Sequence, residues 1–156
     1  MINKQSLVDQ VIARLKSDLE KLTNAAKEAR DYATDAECKS EGKYDTRGLE
    51  ASYLAGAQAE KSEELAEAIS TLSRIKLPEN PARAVTGTLV VVSDVTSGED
   101  DAYFILPAGG GIELETELSE NPTTVITPQS PRGEQLINRT PGDFLAGDDS
   151  FISEIL

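Results

Sequence analysis

The sequence contains no histidine and no tryptophan, one cysteine (Cys38) and one methionine in 156 residues. Without histidine, Ser-His-Asp and Cys-His catalysis are excluded, as are histidine-containing zinc sites. A single cysteine can form neither an internal disulfide nor a four-cysteine metal site, a usage that fits a reducing, cytoplasmic setting. Aromatic residues make up 4% of the chain, which leaves little for an aromatic-lined pocket. The longest fully apolar run is Leu89–Val92, far too short to span a bilayer, and MINKQSLVDQ lacks the apolar centre of a secretory signal. The expected setting is therefore cytoplasmic, with no membrane partner.

Positive charge is scarce in one half only. Residues 1–77 carry 12 Lys/Arg against 14 Asp/Glu, a net of −2, whereas residues 78–156 carry 3 against 14, a net of −11. The second half therefore repels phosphate backbones, and direct nucleic-acid binding there is disfavoured.

From Asn3 to about Glu37 there is neither proline nor glycine, and Val8, Ile12, Leu15, Leu19, Leu22, Ala26, Ala29 and Ala33 recur at alternating steps of three and four. That spacing predicts a coiled-coil seam. A second run from about Thr46 to Lys76 places Tyr53, Leu54, Ala57, Leu65, Ala68, Ile69, Leu72 and Ile75 at helical spacing. If the chain reverses at Gly42, Ile12 faces Leu72, Leu15 faces Ile69, Leu19 faces Leu65, Ala29 faces Ala55 and Ala33 faces Ala51. Large residues meet large ones near the base and small meet small near the turn, as in an antiparallel helical hairpin. An arm of some 30 residues reaches roughly 45 Å, and its alanine end buries little apolar area.

Leu77-Pro78-Glu79-Asn80-Pro81 ends the helical region. Beyond it, TGTLVVV (86–92), AYFIL (102–106), IELET (112–116), TTVIT (123–127), DFLA (143–146) and SFISEIL (150–156) read as strands. Ser130 followed by Pro131 reads as a helix start, with the serine capping and the proline at the first helical position. The expected domains are a hairpin over 1–77, its tip near 37–50, and a β-rich domain with one short helix over 78–156. The overall class is α+β.

VITPQSPRGEQLINRTPGDFL, Val125 to Leu145, resembles the C-terminal signature of the Gre-type bacterial transcription elongation factors: a strand, Ser-Pro, a short helix with an apolar pair, and a Gly-Asp turn. TGTLVVVSDVTSGEDDAYFIL and the ending SFISEIL are similar to the family too, as is the order of hairpin, linker and C-terminal domain. The resemblance implies an FKBP-like fold for that domain and, as a partner, RNA polymerase, docked at the rim of its secondary channel. Ser130 and Pro131 are then the polymerase-docking residues. The hairpin enters the channel, contacts nascent RNA indirectly, and presents acids to a catalytic Mg²⁺ of the polymerase. The chain itself is then no enzyme and carries no cofactor of its own; it stimulates the polymerase's cleavage of backtracked RNA, acting as a monomer.

The tip, ECKSEGKYDTRGLE (37–50), departs from the family pattern of an Asp, two residues and a Glu. Aligned through Tyr53, those two positions fall on Thr46 and Leu49; aligned through Gly42, on Lys43 and Thr46. A local shift makes Asp45 and Glu41 the candidate catalytic, metal-directed carboxylates. Asp45 reads equally as the N-cap of the second helix, and Glu41 as part of a solvated turn. A secondary-channel regulator without cleavage stimulation is the alternative, and an FKBP-type prolyl isomerase or a coiled-coil adaptor is a competitor of another class. The runs Gly109–Gly111 and Glu99–Asp101 read as turns rather than as phosphate or calcium sites.

Overall fold

The computed structural model describes the backbone of residues 1–39 and 46–156, and the side chains of residues 1–32 and 54–156. Helix α1 spans Lys4–Lys39 and α2 spans Thr46–Ser73; then come strands β1 Leu89–Asp94, β2 Asp100–Ile105, β3 Glu113–Leu114 and β4 Thr123–Ile126, helix α3 Pro131–Leu136, and strand β5 Ser150–Ile155. The architecture is α+β. By packing the chain divides into two compact units, one of residues 1–12 with 70–156 and one of residues 13–69.

In the 13–69 unit, α1 and α2 are amphipathic only in part. Leu15 is buried, Leu19, Leu22 and Ala26 are half-buried, and on α2 the half-buried residues are Gln58, Ser62, Leu65, Ala68 and Ile69. The steps of three and four expected for a seam are present. Its composition differs: Leu54 and Ala57, expected inside, are exposed, as are Ala29 and Ala55, and Gln58 and Ser62 take inner positions instead. Ser62 can do so because its hydroxyl donates to the Gln58 carbonyl at 2.9 Å, which satisfies it within the helix.

In the larger unit, α1 starts where Asn3 caps it, its side-chain oxygen accepting from the Ser6 amide at 3.1 Å. The sheet has the order β3-β4-β2-β1-β5. Only β2 and β4 run parallel; β1 is antiparallel to both β2 and β5, with a register shift between Val91 and Val92. β1 lies between β2 and β5, and its unbroken run Leu89–Val92 is buried along its length, as a strand covered on both faces requires. One face carries Val90, Val92, Ile105, Ile126 and Ile152, closed over by Leu136 of α3 with Ala84 and Leu145. The opposite face carries Leu89, Val91, Ala102, Phe104 and Val125, all buried. Leu7, Val8 and Val11 of α1 and Leu72 of α2 are buried in the same unit. Gly109, at φ +83°, lies against Val11: a Cβ built there would be 2.7 Å from Val11 Cγ1. Lys4 Nζ donates to the Pro78 carbonyl.

Two expected strands are shorter than their sequences suggested. IELET pairs only through Glu113 and Leu114, because Thr116 leaves the ladder: its hydroxyl bonds to the Thr123 hydroxyl at 2.6 Å and accepts the Leu118 amide at 3.3 Å. DFLA reduces to a single bridge between Phe144 and Phe151. Asp143 is drawn back toward Thr140, and Gly147 already starts the return to β5.

Candidate functional site

Of the residues singled out from the sequence, Asp45 and Glu41 lie outside the described residues. Ser130 and Pro131 lie at the N-cap and first turn of α3. Ser130 is extended (φ −69°, ψ 155°), and its hydroxyl works in both directions: it donates to the Thr127 carbonyl at 2.7 Å and accepts from the Gly133 amide at 3.1 Å. Pro131 follows with its fixed φ and no amide hydrogen to satisfy, and it is exposed.

The turn is closed from inside by Gly133. A Cβ at that position would lie 1.9 Å from the Thr127 carbonyl oxygen and 2.9 Å from Ser130 Oγ, so no larger residue fits without backbone movement. At the other end of α3, Ile137 donates its amide to the Gly133 carbonyl at 2.9 Å, and Asn138 takes the left-handed conformation at φ 64°. Asparagine tolerates that conformation well. Asn138 and Arg139 then exchange backbone hydrogen bonds with Ala84, at 2.7 and 2.8 Å.

A latch that the sequence did not reveal holds the helix to the turn before β5. Arg132 Nη1 donates to Asp148 Oδ2 and to Gln135 Oε1, each at 3.0 Å, while the guanidinium lies 5.2 Å from the Tyr103 ring centroid. Gln135 donates to the Ala146 carbonyl at 3.3 Å. The Asp148 carboxyl is held below its usual range, first by the Ser150 hydroxyl and then by Arg132. Asp143 accepts the Thr140 amide at 2.8 Å and hydroxyl at 3.1 Å; those bonds lower its pKa, the backbone one most. The stretch 127–148 is thus tied together by side-chain hydrogen bonds of Ser130, Arg132, Gln135 and Asp143. Among the described aromatic residues, Tyr103 and Phe104 alternate across the sheet, Phe104 is fully buried, and Phe144 faces solvent.

Elsewhere, Gly111 donates its amide to the Val125 carbonyl at 2.8 Å and Ile112 to Gly109 at 3.2 Å, so the glycine run is a turn bonded to its own sheet. In the β1–β2 loop, Asp94 Oδ1 accepts the Thr96 and Ser97 amides at 2.8 and 2.7 Å. Among the described residues no group of three or more acidic or thiol side chains gathers around a possible metal position, and no helix is long and apolar enough to cross a membrane.

No family model and no curated protein matches the chain. Among solved structures it is similar to the transcription factor Gfh1, at 23% identity over 92% of both chains with a TM-score of 0.37. It is similar to the GreA factor homolog 1 (Gfh1) protein of Thermus thermophilus, at 23% identity over 93% of this chain and 94% of that one, TM-score 0.37. A prokaryotic transcription elongation factor GreA/GreB from Nitrosomonas europaea matches at 16% identity over 58% of this chain and 78% of that chain, TM-score 0.34.

Proposed function

We propose that the chain is a Gre-type transcription elongation factor that binds RNA polymerase at the secondary channel and stimulates the polymerase's own cleavage of backtracked RNA. The observation that carries this reading is Val125–Leu145: its residues resemble the Gre C-terminal signature, and they fold in the implied order, a strand end, a Ser-capped helix and a Gly-Asp turn. In this reading the Ser130–Pro131 turn docks at the channel rim, its shape set by the two bonds of the Ser130 hydroxyl. The helical segment, near neutral at a net of −2 over residues 1–77, can sit beside nascent RNA where the −11 segment could not. Asp45 and Glu41 offer carboxylate oxygens, the hard ligands that magnesium prefers. Magnesium held between polymerase and factor supplies charge neutralisation and an activated water. The factor acts as a cytoplasmic monomer and is not itself the enzyme.

The test is RNA cleavage in stalled, backtracked elongation complexes. Adding the protein shortens the RNA, and Asp45→Asn abolishes the stimulation while polymerase binding survives. Unchanged cleavage by that variant removes Asp45 from the assignment. A second reading, a secondary-channel regulator that does not promote cleavage, is favoured by one observation: aligned through Tyr53, the family's acidic positions fall on Thr46 and Leu49. Polymerase binding without RNA shortening by the parent protein selects it.

A further inference from the structure

The chain has three phenylalanines, and they are used in opposite ways. Phe104 is fully buried, whereas Phe144 is 67% exposed beside the half-buried Phe151. The two form a hairpin. Leu145 donates its amide to the Ser150 carbonyl and Ile152 to the Asp143 carbonyl, both at 2.9 Å. Leu145, Ser150 and Ile152 are buried, so alternation along the hairpin turns Phe144 and Phe151 to its other face, their rings 5.7 Å apart and tilted by 45°. The pair stands outside the core that Leu145 and Ile152 complete.

The surroundings are acidic. Asp148 and Asp149 form the hairpin's turn and Asp143 its base; Val95, 58% exposed, donates its amide to the Asp149 carbonyl at 2.8 Å. Of the nearby cations, Arg132 is paired with Asp148 and Arg139 lies within electrostatic reach of Asp143. Residues 78–156 carry three bases against fourteen acids. An anionic lipid surface, a nucleic acid and a second copy of this unit all bring negative charge to a negative rim, and electrostatics disfavours each. An exposed aromatic ring on a segment that carries fourteen acids against three bases complements a protein surface with an apolar recess edged by lysine and arginine.

We infer that the Phe144–Phe151 hairpin is a contact surface for such a basic protein partner and, resting on the proposed function, that the partner surface lies on RNA polymerase, adding to the Ser130–Pro131 turn a second point of attachment. The experiment measures binding of the full-length chain to purified core RNA polymerase at two salt concentrations. Phe144→Ser weakens binding roughly tenfold, with thermal unfolding unchanged because the ring is mostly exposed. Asp149→Lys weakens it about threefold and reduces its salt dependence, which tests the same surface without touching an aromatic ring. Parent-like affinity in both variants overturns this inference and leaves the proposed function standing. A parent protein that does not bind polymerase overturns both. Sedimentation of the chain alone gives a monomer; a dimer dispersed by Phe144→Ser overturns the inference in favour of self-association.

Discussion

The two compact units use the same helical chain in contrasting ways. In residues 1–12 and 70–156, both faces of the sheet are covered, and Val8, Val11, Phe104, Ile105, Leu136 and Ile152 have no exposed surface. In residues 13–69, Leu15 is the sole hydrophobic residue buried among those whose side chains are described, and the α2 seam includes Gln58 and Ser62. Apolar burial contributes roughly 25 cal/mol per Å², so among the described side chains most of the apolar stabilisation lies in the first unit.

The comparison breaks most readily at the centre of the sheet. Phe104→Ala is expected to cost about 3–5 kcal/mol, measured by denaturant unfolding. A loss below about 1 kcal/mol would mean that the sheet unit is not the stable one. Gly133→Ala comes next, at roughly 3 kcal/mol, because its methyl group would lie 1.9 Å from the Thr127 carbonyl oxygen. Its amide exchange protection should fall across 127–139 before it falls on β1.

How much of this was legible in the sequence depended on whether the physics was local. β1 was readable because four consecutive apolar β-formers have few alternatives to a doubly covered strand. The α3 start was readable because Ser-Pro carries its own capping chemistry. The inner face of α2 was readable in part: Leu65, Ala68, Ile69 and Leu72 lie inside as expected, but Leu54 and Ala57 do not; with alanines at 51, 55, 57 and 59, small apolar residues stand on every side of that stretch, and periodicity cannot choose among them. The Arg132–Asp148 latch was invisible because it joins residues brought together only when α3 and the turn before β5 fold onto neighbouring strands. The exposure of Phe144 was missed for a related reason. Which residue of DFLA faces inward depends on the bridge to Phe151, and the hydrophobic pattern Phe-Leu-Ala reads alike in either register.

Ser130→Ala sharpens the contrast at lower cost. Losing the cap is expected to destabilise the sheet unit by about 1 kcal/mol, and Ser130→Asp, which still accepts from the Gly133 amide, should recover part of it. In polymerase binding the same pair separates shape from contact: recovery of affinity together with stability means that the hydroxyl acts by setting the turn.

The smallest expected effect lies in acid, where the units can be told apart by their carboxylates. Asp94, Asp143 and Asp148 all belong to the sheet unit, and each carboxyl is held below the usual aspartate range by hydrogen bonds from its neighbours. A depressed carboxylate contributes its stability above the unfolded pKa and loses it as pH falls through the folded value. The acid loss of sheet stability should therefore begin near pH 4 and continue below it. Asp143→Asn removes one such group, so stability should fall slightly at pH 7 and the acid limb should flatten, as followed by unfolding curves between pH 2 and 7. An acid limb as steep as the parent's would mean that the Thr140 bonds to Asp143 do not discriminate between its charged and neutral forms. The geometry argues against that outcome, because two donors converge on a single carboxylate oxygen.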